Sequence, residues 1–167
     1  MIKIDNLNKK YAIRRLDDKD IDIIFDLYKD NDLYFSHLHT DLNKQTIIDD
    51  MNDLPKGKQN EDKYFIGYFL NNELLVVIDL IDGYPEDKTV YVGLFMLKKK
   101  YQNKGIGSSI IDELKISLKD QGFKKIKLSY VNTNPQAKHF WHKMGFVEDG
   151  KTATFLGNDI TELEYTL

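Results

Sequence analysis

The most informative segment of the chain reads Leu94-Phe95-Met96-Leu97-Lys98-Lys99-Lys100-Tyr101-Gln102-Asn103-Lys104-Gly105-Ile106-Gly107-Ser108. It begins as an apolar strand, passes through a basic turn with two glycines, and enters a long segment of helical periodicity. In that segment Ile106, Ile110, Leu114 and Leu118 lie four residues apart, which is typical of a helix with one buried face. The order of strand, glycine turn and helix therefore predicts an α/β domain.

The glycine turn has the chemistry of an anion-binding site. The first turn of a helix presents unpaired N–H groups and a partial positive charge. We expect Gly105 and Gly107 to leave those N–H groups uncovered, so that a phosphate can approach them. Four lysines nearby add long-range attraction for a polyanion: Lys98, Lys99, Lys100 and Lys104. Together these features predict an anion site that suits a pyrophosphate.

Two other glycine motifs do not fit this turn. A dinucleotide-binding fingerprint requires a third glycine at the position of Ile110. A P-loop requires four residues between its glycines and then Lys-Ser or Lys-Thr, whereas one residue separates Gly105 from Gly107. An ordinary strand-to-helix turn with incidental glycines remains the alternative interpretation of this segment taken alone.

The glycine turn resembles the Gln/Arg-x-x-Gly-x-Gly/Ala signature of the GNAT acetyltransferase superfamily, which Gln102-Asn103-Lys104-Gly105-Ile106-Gly107 follows. One predicted strand later, the chain is similar to the family's Asn-x-x-Ala…aromatic…Gly-Phe helix, in Asn134-Pro135-Gln136-Ala137 and Phe140-Trp141-His142-Lys143-Met144-Gly145-Phe146. Two motifs in the right order are more specific than either one. The resemblance is close over about residues 90–146, whereas residues 1–60 match only in the order of elements.

The resemblance implies one α/β (α+β) domain over residues 1–167, with the GNAT fold. Its central sheet is expected to be mixed, mostly antiparallel and twisted, with six to seven strands and about four flanking helices. The implied activity is N-acetyltransfer, with acetyl-coenzyme A as the acyl-donor substrate. Because the donor brings the reactive carbonyl, the reaction needs no metal and no protein nucleophile, in agreement with the absence of cysteine.

By position, the resemblance places the family's cofactor-binding residues on three segments. Backbone amides of the glycine turn are expected to hold the pyrophosphate: Gln102, Asn103, Lys104, Gly105, Ile106, Gly107 and Ser108. Strand residues are expected to pair with the pantetheine arm like an added strand: Phe95, Met96 and Leu97. From the second motif, Asn134 is expected to hydrogen-bond the arm, while Phe140 and Trp141 line its thiol end. Asn134 is equally suited to cap its helix, and the two aromatic residues to pack in any core.

Periodicity and turn residues predict the element order β, α, α, β, β, β, α, β, α, β, β. Asn71-Asn72 is predicted as a tight hairpin turn, and Gly122 and Gly145 as helix ends. Strands are predicted near residues 11–16, 64–70, 73–80, 90–97, 125–130, 146–151 and 155–167. Helices are predicted near residues 17–30, 43–53, 105–121 and 135–144. This order predicts a mixed sheet that is antiparallel in its first half.

Composition excludes several classes of protein. The chain of 167 residues contains no cysteine, which excludes disulfides, thiolate zinc sites and cysteine nucleophiles. Its net charge of −3 argues against general affinity for nucleic acid. No stretch reaches the roughly 18 apolar residues of a membrane span, and the first residues lack the apolar run of a signal peptide. We therefore expect a cytoplasmic protein without a membrane partner.

The acceptor amine needs a base. An alkyl amine is protonated at neutral pH and must lose a proton before it attacks a thioester. Residues 90–97 contain no carboxylate, so the candidates lie in the preceding strand and loop: Asp79, Asp82 and Glu86. A chain of waters is the alternative. The oxyanion is expected to meet a backbone N–H near the end of strand 90–97.

The position of the general acid, which protonates the leaving thiolate, departs from the family pattern in this sequence. Many relatives carry a tyrosine at the position of Trp141 that protonates the leaving thiolate, and an indole N–H is not a usable acid. Tyr130, at the end of the preceding strand, is the substitute candidate for this catalytic role. Transfer of the ammonium proton through water is the alternative. His142 lies about 100° around the helix from Trp141 and is expected to point elsewhere.

Histidines offer a weaker signal. His37 and His39 could form part of a zinc site, but no third ligand is evident, so no metal is expected. A loop that contacts substrate and an ordinary surface loop are the other interpretations of this pair. His139 and His142 are expected to face solvent.

The sequence leaves the partners open. A small-molecule amine is the expected acceptor, with a protein N-terminus or lysine as the alternative. A coenzyme A-binding module without activity is a second alternative, in which Trp141 marks lost chemistry. A nucleic-acid or phosphoprotein-binding domain that uses the lysine cluster is a third, although no binding to DNA or RNA is expected at physiological salt. A homodimer that pairs exposed closing strands is conceivable.

Overall fold

The computed structural model describes residues 1–167 and contains one seven-stranded sheet in the order β1-β2-β3-β4-β5-β7-β6. The strands are β1 (Ala12–Arg15), β2 (Lys63–Leu70), β3 (Glu73–Asp82), β4 (Thr89–Leu97), β5 (Lys125–Val131), β6 (Val147–Phe155) and β7 (Asn158–Thr166). The helices are α1 (Ile21–Lys29), α2 (Asp32–Leu38), α3 (Lys44–Asn52), α4 (Ile106–Asp120) and α5 (Pro135–Lys143). No helix is long and apolar enough to cross a membrane.

The sheet opens between β4 and β5. All neighbouring strands pair antiparallel except these two, which are parallel. Their pairing covers only Thr89–Val92 against Lys125–Leu128, so that both strands continue without backbone pairing beyond Val92 and Leu128. The backbone groups that would form ladder hydrogen bonds there face a gap instead.

Each face of the sheet carries its own apolar cluster. The larger cluster, with 25 buried residues, packs α4 and α5 against the sheet. The smaller cluster, with 11 buried residues, packs α1, α2 and α3 against the opposite face. The gap between β4 and β5 therefore connects the α4–α5 side of the molecule with the α1–α3 side.

A β-bulge lies where the gap begins. On β3, Leu80 pairs with Val92 and Asp79 pairs with Leu94, so that Gly93 is an extra residue without a partner. The bulge reverses the faces of β4, because Val92 belongs to the α4–α5 cluster whereas Leu94 belongs to the α1–α3 cluster. Nothing in the local sequence pattern predicted this reversal.

Most predicted elements are confirmed within two or three residues. Asn71 and Asn72 have φ of 51° and 65°, the left-handed values of a tight hairpin turn, and Gly122 and Gly145 end their helices with φ of 89° and 82°. The prediction of about four helices was short by one. Helix α2 was missed because it has only seven residues and its N-cap, Asn31, forms no side-chain cap hydrogen bond.

Candidate active site

One cavity of about 1090 Å³ runs through the gap in the sheet. On the α4–α5 side it is lined by the glycine turn and by aromatic residues of β4 and α5. On the α1–α3 side it is lined by carboxylates and tyrosines: Asp50, Asp53, Asp79, Tyr34, Tyr84 and Tyr91. The anion site predicted from the sequence is therefore continuous with an acidic chamber on the far face.

The glycine turn presents a row of free backbone donors. The N–H groups of Asn103 through Ser108 find no acceptor within the chain. Asn103 and Gly105 have φ of 58° and 76°, which turns the chain sharply into α4. Six free N–H groups at the start of a 15-residue helix form a site suited to an anion.

Gln102 does not belong to that row of backbone donors. Its N–H donates to the Lys99 carbonyl at 3.1 Å, so the prediction that its backbone amide is free for a pyrophosphate is wrong. Its side-chain amide donates to Asn31 Oδ1 at 2.7 Å and to the Leu97 carbonyl at 2.9 Å. Gln102 thus ties the glycine turn to the end of β4 and to the residue before α2.

The two glycines serve different purposes. A Cβ at Gly105 would meet no atom within 4 Å, so this position requires glycine because of its positive φ. A Cβ at Gly107 would lie 3.6 Å from Phe95 and Leu97 and 3.7 Å from Phe140. The bare Cα of Gly107 therefore widens the groove along β4, where the pantetheine arm was predicted, as well as exposing N–H groups.

Half of the lysine cluster is neutralised within the chain. Lys98 and Lys100 pair with Glu73 at 2.8 and 2.7 Å. Hydrogen bonds from Lys100, Lys98 and Tyr101 lower the pKa of Glu73 to about 2. Lys99, which lines the cavity, and Lys104 form no ion pair. The attraction for a polyanion is therefore weaker than four free lysines would provide.

Aromatic rings close the groove between β4 and α5. Phe95 stacks on Phe140 with ring centroids 5.9 Å apart and an interplanar angle of 7°. Trp141 meets both rings edge to face, at 5.9 Å from Phe95 and 5.0 Å from Phe140, and also contacts Phe146 at 5.2 Å. Trp141 is buried, as its role in an apolar core requires. These rings thus form an aromatic wall along the groove that leads to the gap.

Asn134 caps α5. Its Oδ1 accepts the N–H of Ala137 at 3.0 Å, and Pro135 occupies the first helical position, where no N–H is needed. Asn134 also lines the cavity. Its Nδ2 group and the second lone pair of Oδ1 remain for the hydrogen bond to the pantetheine arm that the resemblance implies.

The acidic chamber contains a buried ion pair. Lys63 Nζ lies 2.8 Å from Asp79 Oδ2 and also donates to the Asp53 carbonyl at 2.9 Å. Both charged side chains are buried. Burial raises the pKa of Asp79 to about 6, against the opposing effect of Lys63. The second oxygen of Asp79, Oδ1, is buried and has no hydrogen-bond partner.

A second carboxylate lies beside this pair. Asp50 Oδ2 accepts the hydroxyl of Tyr28 at 2.9 Å. Burial raises the pKa of Asp50 to about 6, and the charge of Asp79 contributes to the shift. Burial likewise raises the pKa of Tyr34, which borders the same chamber. At neutral pH the chamber is therefore negative.

A family model described as the acetyltransferase (GNAT) family matches residues 24–146. The chain belongs to this family. The match spans both motifs of the sequence, and it extends back to α1. No curated protein matches the sequence.

Solved structures of GNAT-type proteins share the fold. An acetyltransferase from Thermus thermophilus superimposes with a TM-score of 0.75 at 19% identity, over 95% of this chain and 98% of that one. The PaiA N-acetyltransferase from Thermoplasma acidophilum, solved in complex with coenzyme A, gives 0.66 at 20% identity over 94% and 100%. The ribosomal-protein-S18-alanine N-acetyltransferase from Escherichia coli gives 0.65 at 14% identity over 93% of each chain.

The three candidate bases have different positions in this GNAT fold. Asp82 pairs with the N-terminal amine at 2.8 Å and does not line the cavity. Glu86 is exposed, with Lys125 Nζ 3.5 Å away. Asp79 alone among the three borders the cavity.

Tyr130 borders the cavity of the GNAT fold, but its hydroxyl has a partner elsewhere. It donates to Glu148 Oε1 at 3.3 Å, and the same carboxylate lies 3.5 Å from His142 Nε2. His142 is half-buried, so the expectation that it faces solvent was wrong, whereas His139 is exposed as expected. The proton that Tyr130 would give to a leaving thiolate is thus already donated to Glu148.

The remaining histidines lie at α2 rather than in a loop. His37 is within α2, with Nδ1 3.2 Å from Thr133 Oγ1, and lines the cavity. His39 is the left-handed C-cap of that helix, with φ of 52°. No group of three or more His, Asp or Glu side chains is arranged to hold a metal ion.

Sequence reasoning missed the acceptor side of this GNAT site. Lys63 and Asp50 were not singled out, and Asp79 was one of three equal candidates. A signal was present, because Asp79 interrupts the apolar run of β3 and Lys63 begins the apolar strand β2. Charged side chains in buried strands are rare unless they are paired. Such an interruption marks a site worth testing.

Proposed function

We propose that this protein is an acetyl-coenzyme A-dependent N-acetyltransferase that acetylates a primary amine of a small molecule. The observation that carries the proposal is the single cavity through the sheet, which joins an anion site to an acidic chamber. Such a cavity lets a donor and an acceptor approach one another from opposite faces. Direct attack within a ternary complex then needs no covalent enzyme intermediate.

The residues on the α4–α5 side fit coenzyme A. The free N–H groups of Asn103–Ser108 suit its pyrophosphate, with Lys99 close by. Beyond Val92, the unpaired edge of β4 offers backbone groups to the amides of the pantetheine arm, along Phe95, Met96 and Leu97. Phe140 and Trp141 cover the thiol end. The complex of the PaiA enzyme with coenzyme A makes this ligand a natural one for the shared fold.

The chemistry then follows from the gap. The acceptor loses its proton and its nitrogen attacks the thioester carbonyl. The carbonyl oxygen gains negative charge near the bulge at Gly93, where an unpaired backbone donor is best placed to stabilise it. The C–S bond breaks, and the leaving thiolate takes a proton.

We infer that this last proton comes from the attacking nitrogen, directly or through water. Tyr130 is the alternative acid, but Glu148 already accepts its hydroxyl. Tyr130→Phe is therefore expected to retain kcat within about threefold, as removal of a group outside the transition state should. A loss of about 100-fold or more would restore Tyr130 to the role of general acid.

Contacts above the chamber favour a small acceptor over a protein. The hairpin between β6 and β7 meets the end of α2, where Asn158 Nδ2 donates to the Leu38 carbonyl at 3.2 Å. His37 and Thr133 make a second contact nearby at 3.2 Å. Two of the contacting residues, His37 and Leu38, line the cavity, and we infer that they restrict the approach of an acceptor to the carboxylates. A peptide acceptor, as named for the ribosomal-protein enzyme of Escherichia coli, is the second candidate.

Two measurements test the proposal. A thermal shift with coenzyme A tests the cofactor site, and thiol release from acetyl-coenzyme A with a panel of small amines and peptides tests transfer. We expect stabilisation by coenzyme A and thiol release with small amines. Stabilisation without thiol release would indicate a binding module, and neither effect would refute the proposal.

The variant Gly107→Val tests the position of the coenzyme A site. Its side chain would enter the groove between Phe95 and Phe140, where a Cβ makes only ordinary contacts, so the fold should survive while coenzyme A binding is lost. Ser109→Val is the control, because Ser109 is exposed on the same helix and does not line the cavity. Normal coenzyme A binding by Gly107→Val would show that the cofactor is misplaced.

A further inference from the structure

Asp79 lies at the point where the sheet opens. The last β4–β5 pair is Val92 with Leu128, and the next residue, Gly93, is the unpartnered bulge. A Cβ built on Gly93 would lie 2.6 Å from Asp79 Oδ2. The carboxylate of Asp79 therefore packs against the bulge itself, which places it beside the gap through which donor and acceptor must meet.

One oxygen of Asp79 is held and the other is free. Lys63 Nζ fixes Oδ2 at 2.8 Å, and Asp79 is only 8% exposed. Oδ1 is buried without any hydrogen-bond partner, although a buried carboxylate oxygen ordinarily has one. Asp79 lines the cavity and Lys63 holds its Oδ2, so Oδ1 is the oxygen to which we assign a donor on a bound molecule. A protonated amine is such a donor.

The charges around Asp79 come from several elements. Lys63 on β2 is the one cation in contact with it, and Asp50 and Asp53 face the same region from α3 and its C-terminal end. The tyrosines that face this region are Tyr28 on α1, Tyr34 on α2, Tyr84 between β3 and β4, and Tyr91 on β4.

The chamber lacks a free lysine or arginine that could bind an acceptor carboxylate, and His37 is the histidine that lines the cavity from α2. No arginine lines the cavity, and its only lysines, Lys99 and Lys143, belong to the glycine turn and to the end of α5. Lys63 is already engaged by Asp79 and by the Asp53 carbonyl. The charge of Asp50 therefore remains uncompensated and would repel an anionic acceptor.

We propose that Asp79 accepts the proton of the acceptor amine, and that Asp50 restricts the acceptors to primary amines that carry no carboxylate. This inference rests on the proposed function and deepens it. The ammonium donates one proton to Asp79 Oδ1. The freed amine forms the N–C bond, the C–S bond then breaks, and a second nitrogen proton passes to the departing thiolate. Asp79 then releases its proton to solvent through the cavity.

A pair of amines tests the proton transfer directly. Ethylamine is a cation at neutral pH, whereas trifluoroethylamine is largely deprotonated and needs no base. Asp79→Asn is expected to lower kcat/KM for ethylamine by about 100-fold or more, but for trifluoroethylamine by less than about tenfold. An equal loss for both amines would overturn the assignment, because it would indicate a structural role.

The pH dependence gives a second readout. With ethylamine, wild-type kcat/KM should rise with a midpoint near pH 6, where Asp79 ionises, and reach a plateau above about pH 7. In Asp79→Asn it should keep rising toward the pKa of the amine, roughly 10, since only free amine can then react. Identical profiles would refute the proposal. Asp82→Asn is the matched control, because Asp82 lies outside the cavity.

The acceptor class is tested with butylamine and γ-aminobutyrate, which have similar size and differ in one carboxylate. The wild type should prefer butylamine by about tenfold or more in kcat/KM, and Asp50→Asn should narrow that ratio. Equal use of both amines by the wild type, or an unchanged ratio in the variant, would refute this part. Thermal shift with coenzyme A should be unchanged in both variants, which separates failure here from failure of the proposed function.

Discussion

Removal of Lys63 would show how the acidic chamber is stabilised. In Lys63→Met the side chain keeps its approximate length and loses the charge that pairs with Asp79 at 2.8 Å. Loss of one partner of a buried pair often costs about 3–5 kcal/mol, because the remaining charge is uncompensated. Here Asp79 can escape that cost by binding a proton, since its pKa is already about 6. The loss of stability must therefore depend on pH.

The size of that dependence follows from linkage. Without Lys63, burial raises the pKa of Asp79 further, so the folded variant holds a proton that the wild type loses above pH 6. The unfolded chain is ionised in both proteins, and a folded state that retains the proton loses stability as pH rises. The added cost in free energy of unfolding is about 1 kcal/mol at pH 7 and up to about 3 kcal/mol at pH 8. Below pH 6 it nearly vanishes.

Urea denaturation at pH 5.5, 7 and 8 measures this cost. The lost hydrogen bond to the Asp53 carbonyl adds about 1 kcal/mol that does not vary with pH. Lys125→Met is the control, because Lys125 is partly exposed and its pairs with Glu86 and Glu164 are 3.5 and 3.4 Å long. That control should lose less than about 1 kcal/mol. A cost for Lys63→Met that is the same at pH 5.5 and pH 8 would refute the reasoning.

Three further substitutions test separate parts of the structure. Asn134→Ala removes the cap of α5 and should lower the free energy of unfolding, measured by urea denaturation, by about 1 kcal/mol. An unchanged free energy would mean that the cap is dispensable. Gly145→Ala should lower the free energy of unfolding by about 1–3 kcal/mol in the same assay, because φ is 82° and the new Cβ would lie 3.3 Å from Tyr165. An unchanged urea midpoint would contradict this expectation. Glu73→Gln frees Lys98 and Lys100 and should tighten coenzyme A binding about threefold at low salt, an effect that high salt should abolish.

The parts of the fold that could be predicted are those set by neighbours in sequence. Asn71-Asn72, Gly122 and Asn134 act within a few residues of themselves, so the hairpin, the end of α4 and the start of α5 follow from local chemistry. The glycine turn is local too, and its six free N–H groups are a direct consequence of a helix beginning there.

The parts that could not be predicted depend on contacts between distant residues. Lys98 and Lys100 looked free because Glu73, which neutralises them, lies on another strand. Gln102 matched the family signature, yet its side chain reaches Asn31, 71 positions away. The pairing of Lys63 with Asp79 requires the register of β2 on β3, which no single segment encodes.

Because of the bulge at Gly93, strand β4 contributes side chains to both apolar clusters. Before Gly93 the even-numbered side chains Val90 and Val92 pack in the α4–α5 cluster. After Gly93 the even-numbered side chains Leu94 and Met96 pack in the α1–α3 cluster. Deleting Gly93 would remove the bulge and place Leu94 directly after Val92, in the regular alternation that matches their present partners Asp79 and Leu80. Leu94 through Leu97 would keep their faces, and the strand would lose the extra residue that packs against the Asp79 carboxylate. Gly93 thus contributes to the site through the local break that it makes beside the gap, where its missing side chain leaves room for the carboxylate of Asp79.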